Sequence, residues 1–332
     1  MSIEVITSTA VLNFNKNINP DISFLIPTYK RPGLLKEAIQ SIIDIEDKPD
    51  FEIIVVDNDD EKEYADEIES VICSFKDYNI VYYRNNSNLG MYGNWNMSIS
   101  LAKGRWLTIL NDDDKLKKEF IKEIWALRYK ANVIIGKHDV FGDCCGNRKG
   151  NKNILERLFY FVKIRHLTLG EVFILNPTSG SLGVLFNSSF IKKTGGFNTF
   201  HGATADYHFY KNAQRITKII ILNRVVASYR WSQNESLKKE TLQYFFESDY
   251  RMRKEIISDT FTTNPMREFF LLMLRKHTSF CIELTEGAID KRNVFEALSI
   301  EFIKVKYARL KKIYTVIFFM ISLNFFNRYF KS

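Results

Sequence analysis

Three consecutive aspartates, Asp112–Asp114, directly follow the segment RWLTILN (105–111), which has the composition of a buried strand. Their carboxylates repel one another, and a divalent cation held among them would reverse that repulsion. Oxygen ligands suit Mg²⁺ or Mn²⁺, and Mg²⁺ usually binds one or two carboxylates together with substrate phosphates. The simpler alternative is a solvated acidic turn that stabilises the positive end of a helix beginning near Lys117. Taken alone, the triplet favours that simpler alternative.

Alternating strands and helices must position this triplet. Apolar runs at 22–29, 51–58, 79–85, 105–111 and 132–136 predict strands, and the segments between them carry apolar residues at helical spacing. Strands that alternate with helices through short connections predict βαβ units and a mainly parallel sheet. Ligands of such sheets bind beyond the carboxyl ends of the strands, and the polar motifs PTYKR, DNDD and NDDD all lie at those ends.

The rest of the chain mixes strands and helices before it becomes helical. A strand, a short helix and a glycine turn are predicted in 179–198, a helix near Asp206 and further strand in 217–231. The stretch 142–153 is loop-like, and 238–312 has a helical pattern with abundant charge. We therefore expect an α/β domain followed by a helical extension.

The segment 306–332 is basic and rich in aromatic residues. Its apolar run, 313–326, is interrupted by polar residues and is shorter than the ~20 apolar residues that span a bilayer. Basic residues on both sides, together with the aromatics, favour a helix that lies in the membrane interface. The alternative is a C-terminal helix packed on the body of the protein.

Net charge and cysteine content restrict the partners and the compartment. The formal net charge of the 332 residues is +8, which favours an acidic partner such as a nucleotide phosphate, a nucleic acid or an anionic membrane. Nucleic-acid binding is not expected, because basic and aromatic residues are not interleaved in a clear stripe outside the tail. The four cysteines lack zinc-site spacing and the N-terminus lacks a secretory pattern, so a reducing, cytosolic compartment is predicted.

An ordered set of motifs resembles the family 2 glycosyltransferases with the GT-A fold. The set is ISFLIPTYKRPGLLKEAIQSI, FEIIVVDN, RNNSNLGMYGNWNMSISLAKGRWLTILNDDD, and GGFN followed by ADYHFY, and it runs from about residue 20 to about residue 235. The resemblance implies an α/β, Rossmann-like domain over 1–235, with nucleotide-sugar binding in 20–140 and the acceptor and catalytic base in 141–235. The remaining residues, 236–332, would be a helical extension that ends in the membrane-associating helix.

The resemblance also implies which residues bind the nucleotide. The first-strand motif would cradle the base and ribose, the acid after the second strand would accept a hydrogen bond from the base, and the segment after the third strand would approach the nucleotide closely. The corresponding residues are Pro27, Thr28, Tyr29 and Arg31, then Asp57 with Asn58, then Arg84, Asn88 and Gly90. Arg230 is a candidate for contact with the phosphates, although a structural or surface role is equally expected.

The family pattern after the fourth strand is Asp-x-Asp-Asp, and here Asn111 stands at its first position. Two sets of metal ligands are therefore open: Asp112 with Asp114, or Asp113 with Asn111 assisting. We expect direct contact of Asp113 with Mg²⁺ or Mn²⁺, and place Asn111 and Asp112 also among the donor-binding residues.

Asp206 is the predicted catalytic base. In the family the base is the aspartate of an acid pair that follows a GGF turn, and here Ala205 replaces the first acid. A carboxylate within hydrogen-bond reach of the acceptor hydroxyl can remove its proton as that oxygen attacks the anomeric carbon. Without the resemblance, a helix N-cap would be the preferred role for this aspartate.

The resemblance implies a metal-dependent, inverting transfer of a hexose-type sugar from a nucleoside-diphosphate sugar. The acceptor would be a glycan on a polyprenyl-diphosphate carrier, in the assembly of cell-surface polysaccharide such as O-antigen or capsule. The protein would then lie peripherally on the inner face of the cytoplasmic membrane. A sugar nucleotidyltransferase is less compatible with PTYKRPG, which has a single glycine, and a non-catalytic carbohydrate-binding or scaffold protein remains a further alternative.

Overall fold

The computed structural model describes residues 8–17, 19–142, 163–175, 178, 180–231, 239–261, 264–283, 290–301 and 303. The predicted interfacial helix in 306–332 and most of the loop in 142–153 lie outside these residues. None of the helices in the described part of the chain combines the length and the apolar content that crossing a bilayer requires.

Strands and helices alternate through the first half of the chain, as the sequence predicts. In the described residues the strands are β1 (Ser8–Asn13), β2 (Ile22–Thr28), β3 (Phe51–Asp57), β4 (Ile80–Asn85), β5 (Trp106–Ile109), β6 (Lys115–Leu116), β7 (Val133–Phe141), β8 (Ile164–His166), β9 (Val184–Asn187) and β10 (Ile219–Arg230). The α-helices are α1 (Pro32–Ile43), α2 (Ala65–Cys73), α3 (Gly90–Leu101), α4 (Phe120–Ile124), α5 (Leu169–Leu175), α6 (Ser188–Lys193), α7 (Ala205–Ile216), α8 (Lys239–Thr260), α9 (Asn264–Glu283) and α10 (Lys291–Leu298), with 3₁₀ turns at Trp125–Tyr129 and Thr199–Thr204.

The described strands form one mixed sheet in the order β1-β4-β3-β2-β5-β9-β7-β10-β6, with β8 paired to β10. Its central part, β4-β3-β2-β5, is parallel, as the βαβ pattern predicts, and β7 runs parallel to β10. The strand β9 pairs antiparallel with both β5 and β7, and β1, β6 and β8 are also antiparallel to their partners. The fold is α/β as expected, with a parallel centre and antiparallel flanks.

Helices cover both faces of the parallel part of the sheet. Every residue of β2 is buried, because alternate side chains such as Phe24 and Ile26 join the core formed with α1 and α2 while α3 packs against the sheet. A strand covered on both faces needs a continuous apolar run rather than an alternating one. This explains why ISFLIPT and FEIIVVD are so uniformly apolar.

The carboxyl ends of the parallel strands meet at one edge of the sheet. Thr28, the last residue of β2, pairs with Asp57, the last residue of β3, and Asp57 pairs with Arg84 of β4. On the other side of β2, Leu25 pairs with Ile109 at the end of β5. The three polar motifs singled out in the sequence therefore lie side by side.

The chain divides into two compact units. The first comprises the described residues within Met1–His166, Thr178–Thr199 and Arg215–Ser232, and the second those within Leu167–Pro177, Phe200–Gln214 and Gln233–Ser332. The helical pattern expected after residue 238 is confirmed by α8, α9 and α10, which belong to the second unit. In that unit, Phe261 and Phe270 stack with ring centroids 4.1 Å apart at the junction of α8 and α9.

Gly104 is required where the chain enters β5. A Cβ atom at this position would lie 2.6 Å from the backbone N of Ser23 and 2.8 Å from the backbone C of Ile22, which belong to the buried strand β2. We expect Gly104→Ala to lower the free energy of unfolding by about 1–3 kcal/mol, as overpacking does. Urea denaturation followed by circular dichroism measures this loss. Gly33→Ala is the matched control, because a Cβ at Gly33 meets no atom within 4 Å, and an unchanged midpoint for Gly104→Ala would contradict the packing argument.

Candidate functional site

The aspartate triplet forms a tight turn between β5 and β6. The backbone N–H of Asp114 donates to the carbonyl of Asn111 at 3.1 Å and closes the turn. Asp112 and Asp114 are buried, with exposed fractions of 6% and 1%, whereas the side chain of Asp113 is 18% exposed. The three carboxylates therefore lie in different surroundings.

Asp112 joins the turn to the end of β2. The hydroxyl of Thr28 donates to Asp112 Oδ2 at 2.8 Å, and the backbone N–H of Tyr29 donates to the same oxygen at 3.2 Å. Burial raises the pKa of Asp112 to about 6, against the opposing effect of the Arg31 charge. The carboxylate is thus used to hold the first-strand motif in place.

Asp114 joins the turn to the end of β10. The backbone N–H of Arg230 donates to Asp114 Oδ1 at 2.9 Å, and the side-chain amide of Asn111 donates to Asp114 Oδ2 at 3.3 Å. Burial, followed by the neighbouring charge of Asp113, raises the pKa of Asp114 to about 7. An aspartate at position 111 would set another acceptor against this buried carboxyl group, which gives a physical reason for asparagine there.

Arg230 clamps the turn from the other side. Its Nε donates to the carbonyl of Asp113 at 2.8 Å, its NH2 donates to Glu37 at 2.7 Å, and its guanidinium lies 4.6 Å from the ring centroid of Phe141. Lys115 also pairs with Glu37 at 2.7 Å, and these two cations lower the pKa of Glu37, Lys115 having the larger effect. These contacts favour the structural role left open for Arg230.

Asp113 has the most exposed carboxylate of the triplet. Arg31 NH1 donates to Asp113 Oδ2 at 3.1 Å and lies 3.5 Å from Asp112 Oδ1. In the part of the chain that the structure describes, no group of three or more His, Cys, Asp or Glu side chains is arranged to hold a metal ion. A single accessible carboxylate nevertheless fits a cation that is held mainly by substrate phosphates, as Mg²⁺ commonly is.

Asp57, at the end of β3, is buried and is held by two hydrogen-bond donors and one nearby cation. The Tyr82 hydroxyl donates to Asp57 Oδ2 at 2.8 Å, the backbone N–H of Asp59 donates to Oδ1 at 3.0 Å, and Arg84 Nε lies 3.7 Å from Oδ2. Burial raises the pKa of Asp57 despite these partners. Arg84 also donates to Glu69 at 3.2 Å, so the predicted pair Asp57 and Arg84 is brought together.

Side-chain amides connect β3, β4 and the start of α3. Asn58 Oδ1 accepts from Asn85 at 3.0 Å and from the backbone N–H of Leu89 at 2.9 Å, and Asn58 donates to Asn88 Oδ1 at 2.7 Å. Asn94, buried in α3, accepts from Asn85 at 3.0 Å. The predicted residues Asn58 and Asn88 thus belong to one network that fixes the loop before α3.

Gly90 and Tyr29 complete the predicted nucleotide-binding edge. Gly90 has φ of +68°, which favours glycine, and its N–H donates to Asn88 Oδ1 at 2.9 Å. Tyr29, which follows Pro27 and Thr28 at the end of β2, is 43% exposed, so its ring can stack on a ligand. Lys30 is held by Glu61 and Glu63 at 2.5 and 2.8 Å.

Tyr82, Glu69, Glu37 and Asn85 are site-supporting residues that the sequence did not single out. Tyr82 could have been found, because residues two apart in a strand share a face and Tyr82 therefore stands beside Arg84. Glu37 and Glu69 lie in helices, and no local pattern relates them to a strand end. Their partners become apparent only in the folded chain.

Asp206 lies in the first turn of α7, in the second unit, and is 7% exposed. Because α7 begins at Ala205, Asp206 lies inside the helix rather than at its N-cap. Burial, with a contribution from the charge of Asp206, raises the pKa of the fully buried Tyr210 one turn later. His201 and His208 stack 3.5 Å apart, and burial lowers the pKa of His208 to about 4, so these histidines are neutral at neutral pH.

Part of this sequence is similar to the sequences of known proteins. A GalNAc(5)-diNAcBac-PP-undecaprenol beta-1,3-glucosyltransferase of Campylobacter jejuni is 36% identical over 135 residues, which are 40% of this chain and 40% of that protein. An abequosyltransferase of Salmonella typhimurium is 38% identical over 99 residues, which are 30% of this chain and 29% of that protein. The matched part of the chain therefore spans less than half of either relative.

Solved structures share the fold over nearly the whole chain. The mannosyltransferase PcManGT of Pyrobaculum calidifontis, in complex with GDP-Man and Mn²⁺, has a TM-score of 0.56 at 14% identity and is matched over 96% of this chain and 90% of that chain. Residues 1–349 of S. aureus TarS give a TM-score of 0.55 at 16% identity, over 91% of this chain and 80% of that chain. At sequence identities this low, a structural match is evidence for a shared fold alone. The two matches confirm the GT-A architecture expected from the sequence.

The family assignment follows from the matched segment together with this architecture. Residues 23–182 match the model of the family described as glycosyl transferase family 2, and they include β2 to β5 and the aspartate turn. Residues 23–182 of this chain therefore match glycosyl transferase family 2, and the chain has the GT-A fold.

Proposed function

We propose that the protein transfers a sugar from a nucleoside-diphosphate sugar to a hydroxyl group of a glycan acceptor, with inversion at the anomeric carbon. The observation that carries the proposal is the edge at which β2, β3, β4 and β5 end. There the exposed Tyr29 ring, the buried Asp57 carboxylate and the accessible Asp113 carboxylate belong to adjoining strand ends. An aromatic ring, a hydrogen-bond acceptor and a metal-binding carboxylate are the groups that a nucleoside diphosphate needs.

Each strand end has a proposed part in holding the donor. Thr28, Tyr29 and the Pro27 backbone would contact the base and ribose, and Asp57 would orient the base. The loop fixed by Asn58 and Asn88 would approach the nucleotide at Gly90. Asp113 would hold Mg²⁺ or Mn²⁺ on the diphosphate, while Asp112, Asp114, Asn111 and Arg230 keep the turn in shape. A cation bound there supplies Lewis-acid neutralisation of the diphosphate leaving group.

The proton chemistry is assigned to Asp206. In an inverting transfer the acceptor oxygen attacks the anomeric carbon from the face opposite the leaving diphosphate, and a base takes the hydroxyl proton as the new bond forms. Asp206 is the carboxylate at the position that matches the family base. Its place inside the first turn of α7 supports this role over helix capping.

A lipid-linked glycan is the proposed acceptor. The Campylobacter jejuni relative is named for an acceptor on an undecaprenol diphosphate carrier, and the Salmonella typhimurium relative is an abequosyltransferase. The basic, aromatic segment 306–332 is the part of this sequence suited to an anionic membrane surface. We therefore place the protein in cell-surface polysaccharide assembly, on the inner face of the cytoplasmic membrane.

A screen of nucleotide sugars by thermal shift tests the donor assignment. Ligand at about a hundred times its Kd stabilises the native state by about 2.7 kcal/mol, so a true donor raises the midpoint clearly. We expect UDP- or GDP-linked sugars to raise the midpoint in the presence of Mn²⁺ and less in its absence. Asp57→Asn is expected to weaken the shift. No shift with any nucleotide sugar would contradict the proposed function and favour a non-catalytic role.

A further inference from the structure

We propose that Arg31 is an internal counter-ion that makes cation binding at Asp113 depend on the donor diphosphate. When no donor is bound, the Arg31 guanidinium pairs with Asp113. When the donor binds, the guanidinium moves to the diphosphate. The carboxylate is released to the cation at that moment. The inference rests on the proposed function, since it assumes that a nucleoside diphosphate binds beside the aspartate turn.

In the part of the chain that the structure describes, two arginines contact the aspartate turn, and their surroundings differ. Arg230 is held by the carbonyl of Asp113, by Glu37 and by the ring of Phe141, and its side chain is 19% exposed. Among the described residues, Arg31 reaches only the carboxylates of Asp113 and Asp112, at 3.1 and 3.5 Å, and its side chain is 39% exposed. A change of partner by Arg31 would therefore give up these two ion pairs, whereas movement of Arg230 would break hydrogen bonds to the turn and to Glu37.

The backbone at Arg31 is held at the start of α1. Its carbonyl accepts the N–H of Leu35 at 3.0 Å, and Pro32 begins α1 directly after it. The side chain makes no capping hydrogen bond to that helix. The adjacent acids Glu61 and Glu63 already hold Lys30, so they offer Arg31 no competing site. Among the described residues, this leaves Asp113 and Asp112 as its anionic partners, to which an incoming anion would be added.

Charge explains why the Arg31–Asp113 pair couples binding of the cation to binding of the donor diphosphate. A cation that binds Asp113 alone must break the ion pair with Arg31 and then lie beside a like charge. A diphosphate gives the planar guanidinium a bidentate anionic partner, which removes both costs. Because coupling between binding sites is reciprocal, the cation must also strengthen donor binding. Arg31 would thus keep the cation site closed to Mn²⁺ until a donor is present.

The test compares Mn²⁺ binding to the 332-residue protein and to its Arg31→Gln variant without any nucleotide. Electron paramagnetic resonance of unbound Mn²⁺ gives the affinity directly. We expect Arg31→Gln to bind Mn²⁺ about tenfold tighter, the size of effect that a partly screened unit charge at this distance produces. Arg31→Lys keeps the charge and should bind Mn²⁺ more weakly than Arg31→Gln. In EDTA, Arg31→Gln should bind UDP or GDP, whichever the wild type binds, more weakly than the wild type does.

Arg105→Gln is the matched control. Arg105 pairs with Asp21, just before β2 and at the opposite end of the sheet, and its side chain is 80% exposed. The substitution removes the same charge from the same unit and should leave Mn²⁺ binding unchanged. Circular dichroism of each variant checks that the fold is kept.

The outcomes separate this inference from the proposed function. If Arg31→Gln binds Mn²⁺ no tighter than the wild type, while Asp113→Asn abolishes nucleotide-dependent Mn²⁺ binding, the counter-ion role is overturned and the metal site stands. If Arg31→Lys gains as much affinity as Arg31→Gln, charge is not the cause and the inference also fails. If Asp113→Asn in the Arg31→Gln background binds Mn²⁺ unchanged, the cation does not lie at Asp113, and the inference fails together with the assignment of the metal to Asp113. The thermal shift with nucleotide sugars then decides separately whether the proposed function stands.

Discussion

Asp206→Asn is expected to lower kcat for sugar transfer by about two to four orders of magnitude, the usual contribution of a positioned general base. Asparagine keeps the shape of the side chain but cannot accept the acceptor's proton. Because donor contacts are assigned to the strand ends of the first unit, the KM for the nucleotide sugar should change little. The measurement is steady-state transfer with the donor found by thermal shift and a lipid-linked glycan acceptor.

Asp66→Asn provides a close control for this substitution. Asp66 follows Ala65 at the start of α2, as Asp206 follows Ala205 at the start of α7, and it is exposed. Both variants remove one carboxylate from a first helical turn, so a general effect of helix charge would appear in both. Loss of transfer in Asp206→Asn alone indicates proton transfer. Full activity in Asp206→Asn would remove this residue from the mechanism.

The parallel half of the fold could be predicted from the sequence because its signals are local. Apolar runs and helical spacing locate β2 to β5 and α1 to α3, and polar residues mark the ends of the strands. The antiparallel partners could not be predicted in this way. β1 pairs with β4 about seventy residues away, and the two-residue strand β6 has no periodicity of its own. Such pairings depend on tertiary contacts that a short window does not contain.

For the site, the residue types could be predicted from the sequence, whereas the partners of those residues could not. The residue types at Asp57, Asn88 and Asp113 indicated a polar edge, and the structure brings their segments together. The sequence left open which aspartate faces a ligand, because the three adjacent residues have identical side chains and their burial depends on the fold. Burial distinguishes them, since Asp113 is the most exposed, whereas Thr28 donates to Asp112 Oδ2 and Arg230 donates to Asp114 Oδ1. The presence of asparagine at position 111 is explained only by the structure, in which its side-chain amide donates to the Asp114 carboxylate.

Asp113→Asn and Asp112→Ala are expected to have different effects: the first lowers the rate of transfer, and the second lowers the stability of the fold. Asp113 is the accessible carboxylate, so its loss should reduce transfer at least about a hundredfold, because charge neutralisation by a bound cation is worth several kcal/mol. Its ion pair with Arg31 is partly exposed and contributes about 0–1 kcal/mol to folding, so the midpoint of unfolding should hardly move. Transfer rates and urea denaturation, measured on the same preparations, test both expectations.

Asp112→Ala should instead destabilise the protein. It leaves the Thr28 hydroxyl and the Tyr29 N–H without their buried acceptor, which costs about 1–3 kcal/mol for an unsatisfied group. Activity would fall as well, because the first-strand motif loses its anchor, and the KM for the donor should rise. A stable Asp112→Ala variant that has lost Mn²⁺ binding, beside an Asp113→Asn variant that keeps it, would assign the cation to Asp112. That result would mean that the Thr28 and Tyr29 hydrogen bonds give way when the donor binds, and the turn would then rearrange rather than act as a preformed site.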